Sequence, residues 1–275
     1  MAKRRTGRAM GICISTIAAV AVIAGCDRRD SSASSAPTSS TASQPAPKAI
    51  PLSAEQFAAK FKEWMANGLN APKPEESQGL FDVTGVVDRV ELGISGDNLV
   101  FLRPASDTEP TEARQNRRSY IQALVNDKQP WARLARGQRA TLRGRLGAFP
   151  QPPNLEQADI VDAGPSTAVM ISASELAAQH ANGEAGLRKL YDGKDLIVTG
   201  KVSDVRSSPL SGLTLFLVGD GKVRVRCELG VPETQRLGEA GAPKAGDTVK
   251  VFGEVQPGNL TETILPMKGC HLITK

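Results

Sequence analysis

The decapeptide FDVTGVVDRV, residues 81–90, has a close counterpart in LIVTGKVSDV, residues 196–205. The two segments agree at nearly every apolar position, and both contain Val-Thr-Gly, with the glycines at 85 and 200. Their separation along the chain is the length of an ordinary domain. The sequence of 275 residues therefore predicts two copies of one structural unit.

The match extends on both sides of these segments. VFL at 100–102 parallels LFL at 215–217, and LRGRL at 142–146 parallels VFGEV at 251–255. Upstream, SAEQ at 53–56 and SASE at 172–175 both fit the capping box that starts a helix. Each copy is thus predicted to open with one helix and to continue into strands.

The strand pattern is clearest in KVRVRCEL at 222–229, where the apolar residues alternate with charged ones. Glycines inside two other strands, Gly200 and Gly253, allow the bend or close backbone approach that a small barrel needs. Phe216 and Phe252 are interpreted as core residues of these strands. The fold class predicted is mainly β with one helix per unit, forming two tandem OB-like five-stranded barrels after a signal peptide and a disordered linker.

The second copy, residues 174–273, resembles the tRNA-anti-like OB-fold family of bacterial lipoproteins. That resemblance implies an OB barrel, often lipid-anchored, and no demonstrated role. The first copy departs from it by an insertion at 104–118 and by lacking both cysteines. The matching residues are Ser174, Glu175, Leu176, Asn182, Glu184, the segment 191–200, the segment 225–227, Gly246, Asp247, Val249, Gly253 and Cys270.

Residues 1–25 have the layout of a secretory signal, with basic residues first, then an apolar stretch, then small residues. The tetrapeptide Ile23-Ala24-Gly25-Cys26 resembles a lipobox, so Cys26 is predicted to carry the lipid. An uncleaved anchor helix is the alternative. A tether at 26–51, rich in Ser, Ala and Pro, is expected to stay solvated, with domains at 52–164 and 165–275. We therefore predict a protein of the bacterial cell envelope that faces away from the cytoplasm. Asp27, directly after the cysteine, resembles a signal for retention in the inner membrane, so that membrane is favoured.

The charge distribution argues against a general polyanion binder. The chain has a net charge of +5, but four cations of the signal account for most of it. Nucleic acid is therefore not expected as a partner. A local excess lies between Arg114 and Arg145, where nine cations face one acid, Asp127. Its candidate ligand face consists of Arg139, Arg143 and Arg145 on one strand, flanked by Tyr120 and Trp131; a solvated, charge-balanced face is the other interpretation.

Cys227 and Cys270 are an even pair in an exported domain and are predicted to form a disulfide. Ala123 and Ala158 occupy the equivalent positions of the first copy, which suits two inward positions on neighbouring strands. His180 and His271 have no evident second ligand or nucleophile. The sequence therefore predicts no catalytic residues, no metal and no cofactor.

Two functions remain from these observations. The first is a membrane-anchored, non-enzymatic binding or scaffold module of the envelope, with a protein partner or a small-molecule ligand of unknown identity. The alternative is a binder of anionic polymer, glycan or nucleic acid, through the basic strand of the first domain. An enzyme of an unrecognised type would require a pocket with convergent polar groups, which a sequence does not reveal.

Overall fold

The computed structural model describes residues 48–66, 75–107, 121–147 and 152–274. The predicted signal, the lipidation site Cys26, most of the tether, most of the insertion and Tyr120 lie outside these ranges. Within them, no helix is long and apolar enough to span a membrane.

The first barrel is a closed sheet. Its strand order is β1-β2-β3-β4-β6-β5, and β5 pairs with β2 to close the ring. All pairs are antiparallel except β4 with β6 and β1 with β2. The strands are β1 (Ile50–Ser53), β2 (Leu80–Leu92), β3 (Asn98–Arg103), β4 (Ile121–Val125), β5 (Arg139–Leu146) and β6 (Asn154–Ala163).

The second barrel repeats this topology. Its order is β7-β8-β9-β10-β12-β11, closed by β11 against β8, with β10 parallel to β12 and β7 parallel to β8. Two OB-like five-stranded barrels are confirmed. The strands are β7 (Val169–Ser172), β8 (Leu196–Ser208), β9 (Gly212–Val218), β10 (Arg224–Leu229), β11 (Thr248–Val255) and β12 (Ile264–Ile273).

Each sheet also has a sixth strand that the sequence did not predict, β1 or β7. Both are four residues long and end at the serine that caps the next helix. So short a segment shows too little alternation to be recognised as a strand. The predicted capping boxes are confirmed, because Ser53 and Ser172 each exchange hydrogen bonds with the residue three positions on. The hydrogen bonds from Ser172 lower the pKa of Glu175.

The prediction of one helix per unit holds for the described part of the first copy, which has α1 (Ala54–Met65). It is wrong for the second, which has α2 (Ala173–Ala178), α3 (Gly183–Tyr191) and α4 (Val231–Gly241). Helix α4 connects β10 to β11, where the first barrel has only a single turn of 3-10 helix at Pro130–Ala132. Its apolar positions are sparse and Gly238 interrupts it at φ 60°, so no helical pattern was evident.

The glycines of the repeated Val-Thr-Gly lie where a helix start approaches the barrel. A Cβ on Gly85 would lie 3.1 Å from the Cβ of Ala54, and one on Gly200 would lie 2.7 Å from the Cβ of Ala173. Ala54 and Ala173 are the first residues of α1 and α2. Close approach of the backbones therefore explains why both copies have glycine at this point.

The two barrels pack directly against each other. The Trp131 ring stacks on the His271 ring with centroids 4.3 Å apart, and its Nε1 donates to the Leu272 carbonyl at 3.0 Å. The Arg236 guanidinium lies 5.2 Å from the Trp131 ring. Phe252 of the second barrel is buried in the apolar cluster of the first. Its interpretation as a core residue of its own strand is therefore corrected: Phe252 fills the contact between the barrels.

Candidate ligand face

The basic strand singled out in the sequence is β5, and the structure places its arginines on the outer surface. Arg139 and Arg145 are exposed. Arg143 Nε and Nη2 each donate to a carboxylate oxygen of Asp82 at 2.7 Å, and this pair raises the pKa of Arg143. The central cation of the predicted face is thus bound to the neighbouring strand.

Acidic residues also flank β5 on its other side. In the register of β5 with β6, Arg143 faces Asp159 and Arg145 faces Glu156. Opposite charges facing each other across strands stabilise a sheet and cancel its field. The geometry therefore favours the charge-balanced interpretation of β5.

Trp131 does not flank this face as an exposed ring. It is 1% exposed and lies in the contact between the barrels. The prediction that Trp131 offers a stacking surface to a ligand is wrong, because a ring at this contact has its surface covered by His271 and its N–H satisfied by Leu272. Its proposed companion, Tyr120, lies outside the described residues.

A second basic surface lies on the outer face of β8, β9 and β10, with Phe216 at its centre. The interpretation of Phe216 as a core residue is corrected here, because Leu213, Leu215 and Leu217 fill the barrel and Phe216 points outward between them. Its ring is only 5% exposed, since two guanidinium groups cover it. Arg206 lies 4.7 Å and Arg224 lies 5.0 Å from the ring centroid.

This arrangement, called the Phe216 platform below, consists of Arg206, Phe216, Arg224 and Arg226. Arg206 pairs with Asp204 at 3.0 Å and Arg226 with Glu228 at 2.9 Å. Within the described chain, Arg224 forms no ion pair. It is therefore the cation of the platform most open to an anionic group.

The first barrel carries a smaller version of the platform. Phe101 is the counterpart of Phe216 in the repeat, is 7% exposed, and has the Arg89 guanidinium 3.8 Å from its ring. Arg89 also contacts Glu91 at 2.6 Å and Asp88 at 3.3 Å. Two carboxylates already neutralise this arginine, whereas Arg224 of the second barrel has no ion pair among the described residues.

A cleft of about 470 Å³ lies between the barrels. It has no dominant sign of charge, because cations and carboxylates line it together. Glu233 is one of its lining residues and is almost fully buried, and burial by itself would raise the pKa of this carboxyl. Hydrogen bonds from Arg236, His271 and the Leu272 N–H outweigh burial and hold the pKa at about 2. The lining residues include Arg89, Arg136, Lys268, Glu228, Glu254 and His271.

Cys227 and Cys270 are both buried in the second barrel, on the adjacent strands β10 and β12. They are free thiols in this structure. Burial and the neighbouring Cys227 raise the pKa of Cys270. Ala123 and Ala158, at the matching positions of the first barrel, are also buried. The predicted pair is thus brought together, and its oxidation stays a prediction.

The histidines occupy unrelated positions. His180 Nε2 is 2.6 Å from the Thr261 carbonyl, whereas His271 lies under Trp131. In the part of the chain that the structure describes, no three His, Cys, Asp or Glu side chains come close enough together to hold a metal ion.

No protein-family model and no curated protein matches the chain. Solved structures match it weakly. A Klebsiella pneumoniae lipoprotein with a proposed nucleic-acid-binding role shows 17% identity and a TM-score of 0.31, covering 38% of this chain and 92% of that one. A murine DNA-binding protein bound to double-stranded DNA shows 12% identity and a TM-score of 0.27, covering 70% and 96%. A tetrameric p202 HIN2 structure shows 12% and 0.28, covering 72% and 97%.

The alternation of residues 213–217 contained the signal that would have placed Phe216 outside. The contribution of Arg206 had no such signal, because it depends on how far β8 continues past its bend at Val202. That extension follows from pairing with β9, a contact that local sequence does not encode.

Proposed function

We propose that this protein is a non-enzymatic binding module of the bacterial envelope, held by a lipid on Cys26, and that its ligand is an extended anionic polymer bound at the Phe216 platform. The observation that carries the proposal is the stacking of two arginines on one outward phenylalanine. OB folds use the face of their second and third strands for oligonucleotides and oligosaccharides, and here β9 and β10 form that face.

The aromatic ring restricts the two guanidinium groups rather than contacting the ligand itself. A planar guanidinium that rests on a ring is preorganised, so it loses less entropy when it binds a phosphate or a carboxylate. The near-neutral mature chain predicts moderate affinity with few neutralised charges. This differs from the sequence-based alternative in its location, since β5 is balanced by acids and the platform keeps Arg224 unpaired.

The test is fluorescence anisotropy of a labelled 15-nucleotide oligothymidylate, and separately of labelled polygalacturonate, at several salt concentrations. Arg224→Glu should weaken binding of at least one polymer by about tenfold or more, because it removes a cation and adds a repulsive charge. Arg139→Glu is the matched control, an exposed arginine on the first barrel. Equal losses in the two variants, or no binding of either polymer by the unmodified protein, would refute the proposal.

A further inference from the structure

The contact between the barrels contains a buried acid, Asp195, that has one direct hydrogen-bond partner among the described residues of the other barrel. Asp195 precedes β8 and is 4% exposed. The backbone N–H of Arg136, in the turn before β5, donates to its Oδ2 at 2.6 Å. The same arginine reaches the second barrel again through an ion pair with Glu254 of β11.

Three charged residues act electrostatically on Asp195, namely Arg136, Glu254 and Asp88. Asp88 of β2 is fully buried, and the Arg136 Nε donates to its carbonyl at 3.0 Å. Glu254 acts on Asp195 from β11, and the Nζ of Lys268 on β12 lies 3.8 Å from the Glu254 carboxylate. Arg89 pairs with Asp88 at 3.3 Å. The Arg136 guanidinium thus pairs with the Glu254 carboxylate and donates to the Asp88 backbone carbonyl, while only its backbone N–H reaches the Asp195 carboxyl. The other two cations, Arg89 and Lys268, are engaged by Asp88 and Glu254.

We propose that the contact between the two barrels is a pH-sensitive joint, tight under mildly acidic conditions and weaker at neutral pH, with Asp195 as the group that titrates. Docking removes the Asp195 carboxyl from water and places it near two other acids. A neutral Asp195 keeps its hydrogen bond from the Arg136 backbone N–H at little cost, whereas an ionised Asp195 is buried without an ion pair among the described residues.

The direction of the effect follows from the two states of Asp195. Burial raises its pKa to about 6 in the docked protein, Arg136 lowers it less, and Glu254 and Asp88 raise it. Separated barrels would return the carboxyl to water and to an ordinary pKa of 3.8. The docked state therefore binds the proton more tightly, and its advantage is lost as the pH rises through about 6.

Trp131 provides the measurement, because its indole N–H is hydrogen-bonded to Leu272 across the contact. The exchange of that proton, followed by NMR on the full chain in detergent and corrected for its intrinsic pH dependence, reports how often the barrels separate. The comparison is between the unmodified protein and Asp195→Asn, which mimics the neutral acid. His271 is present in both proteins, so the ratio of their protection isolates the contribution of Asp195.

We divide the protection of the Trp131 indole proton in the unmodified protein by its protection in Asp195→Asn. This ratio should fall by about thirtyfold between pH 4.5 and pH 7.5, because the pKa of Asp195 is about 6 when the barrels are docked and 3.8 when they are separated. Asp82→Asn, on the surface of the first barrel, should behave like the unmodified protein. A ratio that stays constant with pH would overturn the joint. If Asp195→Asn does not fold, a carbon NMR titration of the Asp195 carboxyl in the unmodified protein decides: a midpoint near 6 supports the proposal, and one below about 4.5 overturns it.

Discussion

Glu233 is an acid that is 1% exposed and that ties helix α4 to strand β12. Its pKa of about 2, against an ordinary 4.5, means that the folded protein holds the carboxylate in its charged form. The stability that it contributes is complete above pH 4.5 and is lost as the pH falls toward 2. The linkage amounts to about 3 kcal/mol over that range.

We expect Glu233→Gln to remove this part of the acid sensitivity. The free energy of unfolding, measured with urea at several pH values, should then change less between pH 4.5 and pH 2 than in the unmodified protein. Glu184→Gln, which breaks a surface pair with Arg188, should keep the dependence. An identical acid profile in Glu233→Gln would contradict the account of this residue.

Trp131 combines a stacking contact with one hydrogen bond, and two substitutions separate them. Trp131→Phe keeps an aromatic ring against His271 but leaves the Leu272 carbonyl without its donor, which should cost about 1 kcal/mol. Trp131→Ala should cost about 3 to 5 kcal/mol because it also leaves a cavity. Urea unfolding measures both, and equal losses in the two variants would show that the hydrogen bond dominates.

At the scale of the element, the first barrel strand and the helix start that contacts it form one unit in each copy. Gly85→Ala and Gly200→Ala should each destabilise the protein by about 1 to 3 kcal/mol, because the added methyl would overlap Ala54 or Ala173. Gly258→Ala is the control, since its Cβ would meet nothing closer than 3.7 Å. Thermal unfolding measures the change in stability. If neither Gly85→Ala nor Gly200→Ala destabilises the protein, close approach of the helix start does not explain why both copies have glycine at this position.

A second prediction at the scale of the element concerns Cys227 and Cys270, which lie on the neighbouring strands β10 and β12. In an oxidising compartment we expect these buried neighbours to form a disulfide that adds about 4 kcal/mol in the chain-entropy model. The Tm should then drop on adding a reductant, and alkylation of the unfolded, unreduced protein should find no free thiol at either position. Replacing both cysteines by alanine, as in the first barrel, should abolish the response to reductant.

The repeated elements could be read from the sequence because their signals are local. Capping boxes, alternation in β10 and the strand glycines each occupy a few consecutive residues. The short strands β1 and β7 and the irregular helix α4 have no comparable pattern, since tertiary pairing forms the strands and Gly238 breaks the helix. Local sequence signals therefore predict the strands of the two barrels but not the short strands β1 and β7 or the helix α4.

At the scale of the whole molecule, the decisive contacts join residues far apart in the chain. Arg136, which the sequence placed within a basic run, reaches Asp195 and Glu254 instead of solvent. Trp131 lies against His271 for the same reason. Neither contact is visible in the residues adjacent to Arg136 or Trp131, so the local sequence predicts an exposed basic face on β5 and no contact between the barrels.

NMR mapping of the backbone amides tests most directly whether the ligand face lies on the second barrel. On titration with the polymer that binds in the anisotropy assay, we expect the largest chemical-shift changes at the backbone amides of β9 and β10, residues 214–218 and 224–228. The side-chain Nε–H signal of Arg206 should shift over the same range of polymer concentration. Small changes in β5 are expected at saturation. Changes concentrated at residues 139–145, with β9 and β10 unaffected, would contradict the account and restore the basic strand of the first barrel as the binding site.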